Sequence, residues 1–290
     1  MRTASAAAHD ITSAAVRSAQ AAPDPRFRTV MTALIEHLHA FVREVELTPA
    51  EWLQAIDFLT RTGQTCTELR QEFIILSDTL GVSMLVDAVA NPKPPPATES
   101  SVLGPFYTTD APEVANGATI ARGAKGERAL VRGRVLDLRG NPIPGARIEA
   151  WETDGDGFYD TQYAERGEPD YRAALHADDA GTFWFYAVKP VSYPIPTDGP
   201  AGEMLRALNR TPMRPAHLHV KLSAAGFAPV VTALYTAGDP YIGSDAVFGV
   251  RPSLIAVYEP YDAARHGPTD GEPPRWVVQH DFVLSDEQQE

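Results

Sequence analysis

Two histidines separated by one leucine occur twice in this chain, as His37 and His39 in IEHLHAF and as His217 and His219 in RPAHLHVKL. Whether either pair can share a metal ion depends on the backbone beneath it, because residues two apart lie on one face of a strand but roughly 200° apart around a helix. The first pair stands where Val30, Leu34, Leu38, Phe41 and Val45 recur at spacings of three and four, the pattern of an amphipathic helix. Its imidazoles therefore diverge and read as helix surface. In the second, Leu218 and Val220 alternate with the histidines as in a strand, so His217 and His219 project the same way and can hold one ion.

A His-x-His pair on a strand is also common as plain surface or satisfied core, so other donors decide the matter. This half of the chain has no cysteine. Asp154 and Asp156 in DGDGFYD are available carboxylates, but Phe158 occupies a position where a calcium loop needs a ligand, and the acids read as turn formers. Tyr159 follows that turn, and Tyr193 lies in the proline-rich VSYPIPTDGP. Most of the 10 tyrosines must be packing residues with a hydroxyl at the core edge, so only a pattern spanning all four positions lifts these two.

The elements that would hold these residues fall into two kinds. From Pro25 to about Asn91 the spacing is helical. Thr48, Pro49 and Glu51 form a helix start with a capping box, and Thr65 with Glu68 predicts another start for a helix running to Gly81. Consecutive prolines in NPKPPPATES, residues 91–100, forbid a helix and mark a boundary. Beyond it, RALVRGRVLDL, IPGARIEAWET, GTFWFYAVKP, AHLHVKL, PVVTALYTAG, SLIAVYE and RWVVQHDFVL read as short strands between Gly/Pro turns. The expected fold is mainly β with a helical N-terminal domain: helices and linker over 1–100, then an antiparallel β-sandwich over 101–290.

With 38 acidic against 25 basic residues the net charge is −13, which argues against nucleic acid or an anionic membrane surface and for a small molecule as partner. Cys66, the single cysteine, cannot form an internal disulfide; it reads as a buried apolar thiol in a helix and fits a reducing cytoplasm. The Ala- and Ser-rich start lacks an apolar core of signal-peptide length, and no window approaches a membrane span. P-loop, GxGxxG and GxSxG sequences are absent.

Five stretches in order, VLGPFY (102–107), GRVLDLRGNPIPGARIEAWETDGDGFYD (133–160), YPIPTDGPAG (193–202), RPAHLHVKL (214–222) and GDPYIGSDAVFGV (238–250), together resemble the intradiol ring-cleaving dioxygenases. Within that family YPIPTDGP and SDAVFGV are most similar to the hydroxyquinol-cleaving branch, with the catechol-cleaving branch next. The resemblance implies helical N-terminal dimerisation, often around a phospholipid, and a sandwich carrying one non-haem Fe(III) per subunit. It assigns Tyr159, Tyr193, His217 and His219 as ligands. Two phenolates are hard anionic donors that favour Fe(III), and imidazole is an acceptable partner.

By the same resemblance Tyr193 is the tyrosine displaced when an aromatic diol or triol binds, and Arg214 stabilises negative charge that develops on the substrate before it takes up O2. Pocket walls fall at Ile75, Asp78, Val102, Leu103, Gly104, Pro105, Phe106, Ile195, Pro196 and Val247. Asp78 is the polar exception and is expected to accept a hydrogen bond from the third hydroxyl of hydroxyquinol, a group catechol lacks. The expected reaction is opening of hydroxyquinol to maleylacetate. Catechol or chloro- and alkylcatechols giving cis,cis-muconates are the alternative, and a metal-free transthyretin-like binding module is the rival from another class. A protocatechuate-type enzyme fits poorly with the helical N-terminal half. Ala233 stands where catechol-cleaving relatives carry glutamine, and residues 194–213 are suspected of forming a lid.

Overall fold

The computed structural model describes residues 6–287 except 69, 124, 164, 166 and 270. Two compact units are present, Met1–Arg61 and Thr62–Glu290. The first holds α1 (Ala6–Ala19), α2 (Pro25–Glu44) and most of α3 (Pro49–Thr65). At the start of α3 the expected capping box forms: the Thr48 N–H donates to Glu51 Oε2 at 2.8 Å and the Glu51 N–H to Thr48 Oγ1 at 3.3 Å. His37 and His39 lie in α2, which buries none of its residues. Its apolar stripe is there as the spacing predicts, with Leu34, Leu38 and Phe41 each about half exposed.

The second unit begins with α4 (Glu72–Thr79) and α5 (Val82–Ala90), separated at Gly81, whose φ of 75° ends the first helix. The helix expected from Thr65 therefore starts seven residues later. A local turn replaces it, in which the Thr67 N–H donates to the Arg70 carbonyl at 2.8 Å and the Arg70 N–H to Thr67 Oγ1 at 3.0 Å. Glu72 then enters the helix fully buried, paired with Arg70 at 2.8 Å and accepting the Ala201 N–H at 3.0 Å. A tertiary partner for Glu72 outweighs the local Thr-x-x-Glu signal. Cys66 lies just past α3 and is half-buried, where the sequence suggested a buried thiol within the helix. Both α4 and α5 precede the proline-rich stretch yet belong to the unit that carries the strands. Among the described residues no single helix is long and apolar enough to cross a membrane; α4 and α5 pass only as a pair bent by 77°.

The strands are β1 (Arg128–Asp137), β2 (Arg147–Trp151), β3 (Arg172–His176), β4 (Thr182–Val188), β5 (Tyr193–Pro194), β6 (Met213–Arg214), β7 (His217–Ser223), β8 (Val230–Thr236), β9 (Ile255–Ala256), β10 (Glu259–Pro260), β11 (Trp276–Gln279) and β12 (Phe282–Leu284); α6 (Pro200–Ala207) and α7 (Ala263–His266) are helical insertions. One sheet runs β10-β11-β1-β12 with β4 also on β1, the other β3-β2-β7-β8-β9, and β5-β6 is a separate ribbon. The sheets are mixed, not purely antiparallel as expected: β1 pairs parallel with β11 and β12, and β8 with β9. Alternation along a strand reveals which face is buried but says nothing of its neighbour's direction. The run RWVVQHDFVL is divided between β11 and β12, where the His280 carbonyl approaches β1 so closely that a Cβ on Gly133 would lie 1.7 Å from its oxygen.

Inward-facing Val131, Val135, Ile148, Leu175, Phe183, Phe185, Leu218, Leu222 and Phe282 form one core shared by both sheets, each such burial contributing about 1.5–3 kcal/mol. On β7 this core takes Leu218, Val220 and Leu222. Pleating then obliges His217, His219 and Lys221 to face the other side of the sheet.

Candidate metal centre

His217 and His219 are nonetheless buried, at 2% and 1% exposure, because loops cover that outer face. The β2 register sets Trp151 beside His219, and their rings stack at 4.8 Å. On the other flank, β8 sets Ala233 opposite His219 and Tyr235 opposite His217. Ala233 offers no polar atom, and among the described residues His219 Nδ1 has no hydrogen-bond partner. His217 Nδ1 lies 2.6 Å from the Pro215 carbonyl, which requires the proton on Nδ1 and leaves the Nε2 lone pair toward the site.

Tyr159 arrives from the turn after β2. Asp154 Oδ1 accepts the N–H groups of Asp156 and Phe158 at 2.9 and 3.1 Å, the turn-forming role that the sequence indicated. Gly157 has φ 86°, and a Cβ there would lie 3.1 Å from the Tyr193 Cβ. Phe106 stacks on the Tyr159 ring at 4.5 Å. Behind this pair Arg172 of β3, 2% exposed, donates from Nε to Asp160 Oδ2 at 3.0 Å and from Nη1 to the Phe106 carbonyl and Thr108 Oγ1 at 3.0 and 2.7 Å. Sequence reading missed β3 and this arginine. An arginine inside the short run YRAALH is the signal that could have found it.

Tyr193 is brought in by the β5–β6 ribbon, where it is the register partner of Arg214. The four candidate donors converge: Tyr159 and Tyr193 hydroxyls are 2.9 Å apart, Tyr193 hydroxyl and His217 Nε2 3.3 Å, and the two histidine Nε2 atoms 3.0 Å. Such spacings are those of donors roughly 2 Å from one shared ion. Among the described residues no group of three His, Cys, Asp or Glu side chains could hold a metal, so a metal site here must draw on the phenols. Burial, then the Arg214 charge, pushes both imidazoles well below their usual value, so they are neutral with lone pairs available. Burial likewise pushes both phenols up, Tyr159 furthest.

Arg214 is 3% exposed, with Nη1 2.9 Å from His217 Nε2 and 3.4 Å from the Tyr193 hydroxyl. Beside it a cavity is lined by Ile75, Asp78, Val102, Gly104, Pro105, Phe106, Tyr193, Ile195, Pro196, Arg214 and Val247. Leu103 is not among them: Val102 is buried, whereas Leu103 is 40% exposed. Gly104, at φ 74°, comes so near His219 that a Cβ would lie 3.5 Å from Nε2. Asp78 is the carboxyl on this wall; burial pushes it up, while a hydrogen bond from Ser83 and the Arg214 charge pull it down. A wider groove of about 720 Å³, lined among others by Arg210, Phe248 and Arg251, holds none of the four donors. Donor convergence, not volume, therefore locates the site.

Residues 102–286 match the family model described as Dioxygenase, and residues 24–98 match Catechol dioxygenase N terminus. The chain is 49% identical to the hydroxyquinol 1,2-dioxygenase of Rhizobium sp. (strain MTP-10005), covering 90% of each. It is 47% identical to the 6-chlorohydroxyquinol 1,2-dioxygenase of Cupriavidus pinatubonensis, covering 96% of this chain and 97% of that one. Its fold superposes with a TM-score of 0.92 on the crystal structure of hydroxyquinol 1,2-dioxygenase from Pseudomonas putida DLL-E4, at 46% identity over 97% of this chain and 99% of that one. A helical N-terminal region, a sandwich with two phenols and two imidazoles converging on its outer face, and these matches over nearly the whole length agree: the chain belongs to the intradiol ring-cleavage dioxygenase family.

Proposed function

We propose that this intradiol dioxygenase opens hydroxyquinol to maleylacetate with O2, using one Fe(III) held by Tyr159, Tyr193, His217 and His219. The observation that carries the metal assignment is the run of four buried donor atoms, each within 3.3 Å of the next. Buried phenols resist ionising against the protein's own charges, so a trivalent cation is the partner that would make both anionic. Bound there, Fe(III) would supply the Lewis acidity that draws electron density from a chelated diol and readies its ring for O2.

The chain's own groups supply the rest. Tyr193, whose hydroxyl lies 3.4 Å from Arg214 Nη1, would as a phenolate take a proton from an incoming hydroxyl. Arg214 Nη1 stands beside the donors as a fixed cation for negative charge that grows on the ring. Val102, Phe106, Ile195, Pro196 and Val247 enclose a planar ring and exclude water. Asp78, on the cavity wall, accepts a hydrogen bond from a third hydroxyl in this proposal, and the names of the relatives support hydroxyquinol over catechol as the substrate. Leu103 lies outside that wall.

Exposed Leu34, Leu38 and Phe41 on α2 and Trp52, Leu53 and Ile56 on α3 support a homodimer through the helical residues before the proline-rich stretch, with a bound phospholipid as the further partner. A single cysteine fits a cytoplasmic setting. The test is a visible spectrum and iron assay on the purified protein, repeated with anaerobic hydroxyquinol and catechol, then O2 uptake. A red charge-transfer band that hydroxyquinol shifts at lower concentration than catechol is expected. A colourless, iron-replete protein would remove Tyr159 and Tyr193 as ligands.

A further inference from the structure

The Arg214 guanidinium is held from behind by a closed ring of hydrogen bonds. Its Nε donates to Asp245 Oδ1 at 3.3 Å and its Nη2 to the Tyr235 hydroxyl at 3.2 Å, which leaves Nη1 toward Tyr193 and His217. Asp245 does more than pair with this charge. Its Oδ1 also accepts the Val247 N–H at 3.2 Å, and Oδ2 accepts the Gly249 N–H at 2.9 Å, so the same carboxylate shapes the loop that presents Val247 to the pocket.

Ser101 closes the ring, lying 2.9 Å from the Tyr235 hydroxyl and donating to the Gly249 carbonyl at 3.0 Å. The Ala246 N–H binds the carbonyl of Met213, the residue before Arg214, at 3.1 Å. A side chain at position 249 would break the arrangement: its Cβ would fall 2.5 Å from the Tyr235 hydroxyl and 3.2 Å from Arg214 Nη2. Arg214 and Asp245 side chains are 4% and 3% exposed, so solvent screens neither.

We propose that Asp245 is a positioning residue that joins the Arg214 guanidinium to the Val247 wall of the pocket, coupling charge stabilisation beside the donors to the fit of the substrate's substituted edge. Asp245 touches neither substrate nor donors in this assignment and acts through Arg214 and the 245–249 loop. The inference rests on the function proposed above.

The test uses full-length, iron-loaded protein carrying Asp245→Asn, which keeps an acceptor oxygen but removes the charge, beside Tyr235→Phe, which frees the other anchor and leaves the carboxylate on the loop. Turnover is measured together with the anaerobic dissociation constants of hydroxyquinol and catechol, read from the visible band. For Asp245→Asn the expected result is an unchanged resting band, a kcat lower by about tenfold or more, and a ratio of the two dissociation constants altered by about fivefold. Tyr235→Phe should lower kcat and leave that ratio alone. Wild-type kcat in Asp245→Asn, or an unaltered ratio, overturns the proposal. Should Asp245→Asn fail to fold, Arg214→Met probes the link from its other end, since coupling is reciprocal, and an unchanged ratio there overturns it equally. A wild-type protein lacking the band would fail the functional reading instead, whatever the variants do.

Discussion

Tyr193 and Arg214 are register partners across the β5–β6 ribbon, and the guanidinium Nη1 comes within 3.4 Å of the phenol oxygen. Backbone pairing thus fixes the distance between the two groups to which the proposed function gives the substrate's proton and the charge left behind. Because the pairing is short and the side chains are buried, that distance is not adjusted by solvent.

Arg214→Lys tests this geometry with the charge retained. Lysine has one compact ammonium where arginine has a planar fork, so it cannot meet Asp245, Tyr235 and the donors together. We expect kcat to fall by about 10²–10³-fold, the usual cost of losing one aligned donor at a developing charge, with the visible band kept. Full turnover in a band-positive variant would remove Arg214 from the chemistry.

Asp78 should govern the choice between triol and diol. If its carboxylate accepts the third hydroxyl, Asp78→Ala should lower the kcat/KM preference for hydroxyquinol over catechol by roughly ten- to a hundredfold, as a hydrogen bond to a charged group contributes about 1.5–3 kcal/mol. Catechol turnover should change little. Equal losses on both substrates would show that Asp78 serves the pocket's structure only.

Arg172 carries a stability prediction with a functional marker. Arg172→Met strips the cation from the buried Asp160 carboxylate, a change that costs about 3–5 kcal/mol, and frees the Phe106 carbonyl that backs the ring stacked on Tyr159. Denaturant unfolding should show the loss, and chelators should remove iron faster from the folded variant. Lowered stability with wild-type iron release would confine Arg172 to a structural role.

What the sequence disclosed follows from which signals are local. Alternation in HLHVKL places His217 and His219 on one face, and the DGDG turn shows where Tyr159 leaves the strand, because both depend on neighbours in the chain. Neither tyrosine is singled out as a donor by such a signal: a two-residue ribbon with a strand twenty residues later sets the position of Tyr193, and only the family resemblance picked out the pair. Asp245 and Arg172 escaped for a related reason, since each acquires its role from partners 31 and 66 residues away. The helix start at Thr65 misled because Glu72 answers to Arg70 and Ala201 in place of a local cap. Leu103, named with its neighbours as one run, turns outward where Val102 turns in.

Gly104 is the place where backbone alone makes room. With φ at 74° an alanine would sit in the left-handed region at a cost of about 1–2 kcal/mol, and its Cβ would stand 3.5 Å from His219 Nε2 and 3.6 Å from Cε1, in the space a chelating diol would need. Gly104→Ala is therefore expected to fold with slightly lower stability, to bind iron, and to raise KM for hydroxyquinol several-fold with a smaller change in kcat. Steady-state kinetics at matched iron content decides it. An unchanged KM would mean that the substrate approaches from the Ile195 side of the pocket and never meets position 104.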